Sequence, residues 1–220
     1  MTTAAVVLAG CGHMDGAEVR ESVLALLALD REGVTVRCFA PDIPQRDVVD
    51  HLRKQPAGES RNVLVEAARI ARGKVQRLTE LDVSEFDLLV CPGGFGVAKN
   101  LSDLATAGAD AKPIPEFASV IDAFRKANKP ICAICIAPAV IVAALGEGAV
   151  TIGNDPGTAG AIFAMGGTHV EQPVTGFHVD PIHRLVSTPA YMYGDARIGD
   201  IATGIERAIH AAVGLSRGGS

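Results

Sequence analysis

Short runs of apolar residues alternate along this chain with segments whose apolar positions recur every three or four residues. Residues 4–8, 35–39, 88–91, 131–134 and 185–187 are continuous apolar or Val-rich runs bounded by turn residues, and each predicts a buried strand. Between them lie helical patterns. Asp15 is positioned to cap a helix over 17–32, with Val19, Val23, Leu26 and Leu27 as its apolar set and Gly33 as its stop. Ser60 opens a second helix carrying Leu64, Ala67, Ala68 and Ala71, ended by Gly73. Residues 114–128 predict a third helix and 198–213 a closing one. Residues 137–145 are apolar all round, the signature of a buried helix.

Strands that are apolar throughout and separated by helices predict a parallel sheet covered on both faces, hence an α/β, doubly wound fold. No repeat or linker interrupts the pattern, so residues 1–220 read as a single domain, with the Pro-containing stretch 40–59 packing as an insertion. In such folds the working face is the carboxyl edge of the strands. Three clusters fall there: residues 10–18, 93–96 and 135–138.

Composition narrows the function. The formal net charge is −5, aromatic residues make up 4% and Trp is absent, which argues against a nucleic-acid partner. The longest apolar run, 131–145, contains Pro138 and falls short of the ~20 residues a spanning helix needs, so no membrane association is expected. Leu8-Ala9-Gly10-Cys11 resembles a lipoprotein cleavage box, but no Lys or Arg precedes it, and residues 2–8 read better as a first strand. Five cysteines, an odd number, favour reduced thiols and a cytoplasmic protein.

Cys135 stands out among them. It follows one strand and precedes the buried helix, with the small residues Ala133 and Ala137 two positions away on either side, as a nucleophile on a strained elbow requires. The helix start is expected to lower the thiol pKa. Cys132-x-x-Cys135 is not read as a disulfide, because three extended residues separate the Cα atoms by about 10 Å. No second cysteine pair offers zinc ligands, and no metal or cofactor is expected. Cys38, Cys91 and Cys132 read as core residues, while Cys11 could face the pocket. Gly93-Gly94-Phe95-Gly96 is not a phosphate loop; it reads as a close-approach turn with an amide available to an oxyanion. Glu18, in the first turn of the first helix, is the carboxyl expected to meet Cys135 and form an acid/base pair with it. His13 could line the pocket, and His169-Val170-Glu171 reads as a surface loop.

These residues carry a resemblance. Gly10-Cys11-Gly12, Asp15-Gly16 and Glu18, then Cys91-Pro92-Gly93-Gly94-Phe95-Gly96 with Lys99-Asn100-Leu101, Cys135-Ile136-Ala137-Pro138-Ala139 and Thr188-Pro189-Ala190-Tyr191-Met192, resemble the ElbB-type, glyoxalase-like and isoprenoid-biosynthesis-associated branch of the PfpI superfamily, within the class I glutamine amidotransferase-like fold. The resemblance implies a flavodoxin-like sandwich with Cys135 as nucleophile, Glu18 as its carboxyl partner, the amides of Gly94 and Ile136 as the oxyanion hole, and Cys11, Gly93 and Phe95 around the substrate. Thr188-Pro189-Ala190 stands where glutamine-hydrolysing relatives carry His-Pro-Glu. The expected activity is a cofactor-free, glutathione-independent glyoxalase that acts on a small dicarbonyl through a Cys135 hemithioacetal, in a homodimer. A redox sensor or pathway-regulating binding protein is the alternative, and an amidotransferase subunit the third reading.

Overall fold

The first apolar run becomes the middle of a seven-stranded sheet in the computed structural model, which describes residues 1–218. In chain order the elements are β1 (Thr3–Val7), α1 (Val19–Arg31), β2 (Thr35–Ala40), β3 (Val49–Asp50), β4 (Gln55–Pro56), α2 (Val63–Ile70), β5 (Val75–Arg77) and β6 (Leu88–Cys91). They continue with α3 (Phe95–Lys99), α4 (Leu104–Ala107), α5 (Pro115–Lys126), β7 (Ile131–Ile134), α6 (Ala137–Leu145), β8 (Ala149–Val150), α7 (Pro156–Ala164), β9 (Thr168–His169), β10 (His178–Asp180), β11 (Leu185–Thr188) and α8 (Ile198–Ser216). The sheet order is β10-β11-β7-β6-β1-β2-β5. Every neighbouring pair is parallel except β10–β11, where a hairpin adds an antiparallel edge.

The chain moves outward from β1 through β2 to β5, then crosses back to β6 and moves outward the other way. Right-handed crossovers in opposite directions put helices on opposite faces, so the sheet is wound on both sides. The reversal leaves a crevice at the carboxyl ends of β1 and β6, the place where such sheets bind ligands. The central strands are buried on both faces, which is why they read as unbroken apolar runs.

The first helix differs from its expected pattern in two respects. Glu18, not Asp15, caps it: a Glu18 carboxylate oxygen accepts the Glu21 N–H at 2.6 Å. Asp15 instead accepts the Val49 N–H at 2.8 Å and so ties down the insertion, which folds as the small β3–β4 hairpin. The buried face of α1 is Glu21, Ser22, Ala25, Ala28 and Leu29, while Val19, Val23 and Leu27 face outward. The buried side of α1 packs against α8, among other elements. Ser22, Ala25 and Ala28 on that side permit a close approach that a row of valines and leucines would prevent. In α2, Asn62 rather than Ser60 supplies the cap, accepting the Val65 N–H at 3.1 Å. The short strands β5 and β10 were not legible as apolar runs. No helix among the described residues is long and apolar enough to cross a membrane.

Candidate active site

Cys135 is the residue immediately after β7, and its backbone has φ 63°. A non-glycine residue in this left-handed region is strained. The strain is held by the flanking structure: the Cys135 N–H donates to the Thr188 carbonyl at 2.9 Å, extending the β7–β11 pairing past the end of the strand. Ile136 and Ala137 then start α6. The turn is the elbow expected from the small flanking residues, and both Ala133 and Ala137 are buried against it.

The next strand over supplies the opposing wall. Gly93 passes so close that a Cβ there would overlap the Cβ of Cys135, and it would lie 2.7 Å from Oε2 of Glu21. Only glycine fits. Gly94 follows with φ 99° and turns its N–H toward the Cys135 sulfur, as Ile136 does from the elbow side. Two amides therefore converge on the thiol from two separate strand ends. Phe95, beyond Gly94, is 56% exposed at the surface.

The carboxyl beside the thiol belongs to Glu21, and this corrects the assignment to Glu18. Glu21 is fully buried; its Oε2 accepts the Gly93 N–H at 3.0 Å and its Oε1 accepts the Tyr191 N–H at 3.0 Å. Its carboxyl is in hydrogen-bonding contact with Cys135. Glu18 is engaged one turn earlier as the helix cap, and a side chain folded back on the Glu21 N–H does not reach over the sheet edge. A sequence signal for Glu21 existed: Glu21, Ala25, Ala28 and Leu29 repeat at helical spacing, so a carboxylate sits on the small-residue face. The more apolar stripe through Val19 and Val23 hid it.

Burial, reinforced by the Glu18 carboxylate nearby, pushes the Glu21 carboxyl up to about 8, against the pull of the Tyr191 and Gly93 amides. The Cys135 thiol is also pushed up, by burial first and by the Glu21 charge second; the Gly94 and Ile136 amides oppose this. The low-pKa thiolate expected from the helix start alone is thus corrected: loss of solvation around a buried sulfur outweighs the dipole of a short helix.

The backbone of Thr188-Pro189-Ala190-Tyr191 is part of the site, which the sequence reading had not assigned. Ala190 has φ 45°, a strained value that turns the Tyr191 N–H toward Glu21. The Arg20 guanidinium donates to the Tyr191 hydroxyl at 3.0 Å and lies over its ring at 5.8 Å.

The remaining candidates sort differently. Cys11 is half-buried at the carboxyl end of β1, where the charges acting on it come from Glu66 and Arg69 of α2 and from Asp15. The ring of His13 is exposed and packs edge-on against His51; its carbonyl accepts the Phe95 N–H at 2.8 Å. His169 lies in β9. Cys38, Cys91 and Cys132 are buried thiols. Among the described residues, no three His, Cys, Asp or Glu side chains are arranged to hold a metal ion.

Comparison with known proteins agrees with this architecture. Residues 6–174 match the DJ-1/PfpI family. The chain is 46% identical over 198 residues to the human glutamine amidotransferase-like class 1 domain-containing protein 3, mitochondrial, covering 86% of this chain and 74% of that protein. It is 44% identical to the rat ES1 protein homolog, mitochondrial, with the same coverage. A crystal structure of an isoprenoid biosynthesis protein with amidotransferase-like domain from Ehrlichia chaffeensis superposes with a TM-score of 0.91 at 46% identity, over 97% of this chain and 98% of that one. The cytoplasmic placement drawn from the cysteines is overturned by the human and rat relatives, which are mitochondrial proteins. Unpaired cysteines report a reducing compartment, and the cytosol is only one of these.

Proposed function

This chain belongs to the DJ-1/PfpI family, within the class I glutamine amidotransferase-like superfamily, and from that premise we propose that it is a cofactor-free, glutathione-independent glyoxalase of the ElbB type. The observation that carries the reading is the buried Glu21 carboxyl against the Cys135 thiol, with its pKa moved to about 8. A general acid/base works best with a pKa near the working pH, and an ordinary carboxyl lies several units too low.

The chemistry runs through one carboxyl in three roles. The Glu21 carboxylate takes the thiol proton as the sulfur adds to the aldehyde carbon of R–CO–CHO, giving the hemithioacetal Cys–S–CH(OH)–CO–R. The Gly94 and Ile136 amides hold the oxygen that becomes negative during addition. Glu21 returns the thiol proton to that oxygen, completing the hemithioacetal hydroxyl; as a carboxylate again it removes the proton from the former aldehyde carbon, and the enediol-like species is reprotonated by it on the neighbouring carbon. The product is the thioester Cys–S–CO–CH(OH)–R, which water cleaves to a 2-hydroxy acid and the free thiol. No electron leaves the system.

A redox-sensor role would use the same residues, and turnover separates the two: a sensor thiol reacts once, whereas an enzyme converts the dicarbonyl repeatedly. We read residues 1–220 as one domain acting in a symmetric homodimer, the commonest closed assembly. The test is steady-state turnover of glyoxal and methylglyoxal, alongside glutamine and simple amides, by wild type and Glu21→Gln. Repeated conversion of the dicarbonyls to hydroxy acids, lost in Glu21→Gln, is the expected result. A single stoichiometric reaction, or hydrolysis of glutamine alone, would overturn the reading.

A further inference from the structure

One cation linked to the site through Tyr191 is not accounted for by anything above. Arg20 is the second residue of α1 and immediately precedes Glu21 in the chain. A positive side chain in the first turn faces the positive end of the helix dipole, so helix stability does not favour it there. Arg31, Arg37, Arg61 and Arg77 are each paired with a carboxylate, whereas among the described residues Arg46, Arg72, Arg184, Arg197 and Arg207, like Arg20, make no such pair. Among the described residues, Arg20 has no carboxylate within 4 Å; its partner is the Tyr191 hydroxyl. The neighbouring Glu18 carboxylate is engaged by the Glu21 N–H.

The guanidinium is pre-oriented rather than loose. One N–H is fixed on the Tyr191 hydroxyl and the plane rests near the Tyr191 ring, while Tyr191 is itself anchored through its N–H to Glu21. Four of its five N–H donors remain for a ligand. A planar fork with free donors suits a carboxylate or phosphate, which it binds with two parallel hydrogen bonds. The chain carries a net charge of −5, so an anion approaching the site needs a local cation to overcome the general repulsion.

We propose that Arg20 recognises an anionic group on the substrate, and that the substrate is a 2-oxoaldehyde bearing a carboxylate or phosphate beyond its ketone carbon. This rests on the glyoxalase reading. The reaction is R–CO–CHO + H2O → R–CH(OH)–COO⁻ + H⁺, with the anionic group in R held by Arg20 and unchanged.

The experiment compares methylglyoxal with 4,5-dioxopentanoate, which carries a carboxylate, and hydroxypyruvaldehyde phosphate, which carries a phosphate. Wild type is expected to favour at least one anionic substrate through KM, and added salt should weaken that preference. Arg20→Ala should lower the ratio of kcat/KM for that substrate over methylglyoxal by at least about 10-fold, the share of one charge-assisted hydrogen-bonding contact. Arg20→Lys, which keeps the charge without the fork, should recover part of it. Whichever anion shows the effect identifies the carboxylate or phosphate source. A merely structural role for Arg20 would move all three substrates alike, and that result, or the absence of any preference in wild type, would overturn the proposal. Calorimetric binding of the product 2-hydroxyglutarate to wild type and Arg20→Ala reads the anion contact without turnover. If no 2-oxoaldehyde is converted yet this binding is lost in Arg20→Ala, the glyoxalase reading fails and the anion contact stands. Equal binding to both proteins overturns the anion contact.

Discussion

Cys11 and Cys135 both lie beyond the carboxyl end of a sheet strand, and their surroundings differ sharply. Cys11 lies past β1 and Cys135 past β7, each on the carboxyl edge with a glutamate close by. At Cys135 the backbone is strained at φ 63°, two amides converge on the sulfur, and the neighbouring carboxyl is wholly buried with its remaining lone pairs satisfied by two more amides. At Cys11 the thiol is half-exposed, and its glutamate, Glu66, is held by the Arg69 guanidinium at 2.9 Å. A neutralised carboxylate keeps its ordinary role as an ion-pair partner. A carboxyl with no cation and no water is forced toward its protonated form and becomes an acid/base near neutral pH. The chemistry therefore follows from what surrounds the Cys–Glu pair rather than from the pair itself.

The sharpest way to break this comparison is to remove the two thiols in turn. Cys135→Ser should lower dicarbonyl turnover by about 10³-fold or more, since a hydroxyl is a far weaker nucleophile at this pH. Cys11→Ser should cost less than about 10-fold. Equal losses would mean the strained elbow confers nothing.

The next test separates Glu21 from Glu18, three residues apart on the same helix. Glu21→Gln should reduce turnover by about 10²-fold or more, the range for general acid–base catalysis. Glu18→Gln should act mainly on stability, lowering it by about 1 kcal/mol through a weakened helix cap, with a several-fold effect on turnover at most. Denaturant titration and initial rates on the same preparations distinguish them. The reverse order of effects would return the carboxyl role to Glu18.

Ala137→Leu probes the turn itself. Ala137 is fully buried two residues past Cys135, so a larger side chain must push the elbow or the adjoining strand. Turnover should fall by about 10-fold or more, with a cooperative unfolding transition retained. Unchanged rates in the folded variant would show that the elbow tolerates being moved.

The last test reads stability against pH instead of rate. Glu21 holds its proton up to about 8 in the folded chain, whereas an unfolded carboxyl releases it near about 4.3. Between these values the unfolded state binds fewer protons, so the Glu21 contribution makes stability fall as pH rises from about 4.5 to 8 and then level off. Glu21→Gln should flatten that slope in urea titrations across this range. The same slope in both proteins would place the Glu21 pKa near its ordinary value.

How much of this was legible beforehand depends on the distance over which each feature is decided. The apolar runs that became β1, β6 and β7 state their own burial, because a strand covered on both faces has no polar alternation to hide it. Cys135 could be found because the elbow needs small neighbours within two residues, and that requirement is local. The caps of α1 and α2 were misplaced by two or three residues, since Asp15, Ser60 and Asn62 are all competent cap residues and the chain path chooses between them. Glu21 depended on a more distant partner. Which face of α1 turns inward was settled by packing against segments far along the chain, α8 among them, which the small side chains of Ser22, Ala25 and Ala28 allow to come close. That rotation carried Glu21 into the sheet edge, where Gly93 from β6 and the strained turn after β11 closed around it. The sequence alone determined the five apolar strands β1, β2, β6, β7 and β11, the doubly wound α/β class and the place of Cys135 at a strand end. The identity of its carboxyl partner and the protonation of both groups were decided by the tertiary structure, because helix rotation and desolvation arise only when separate segments pack.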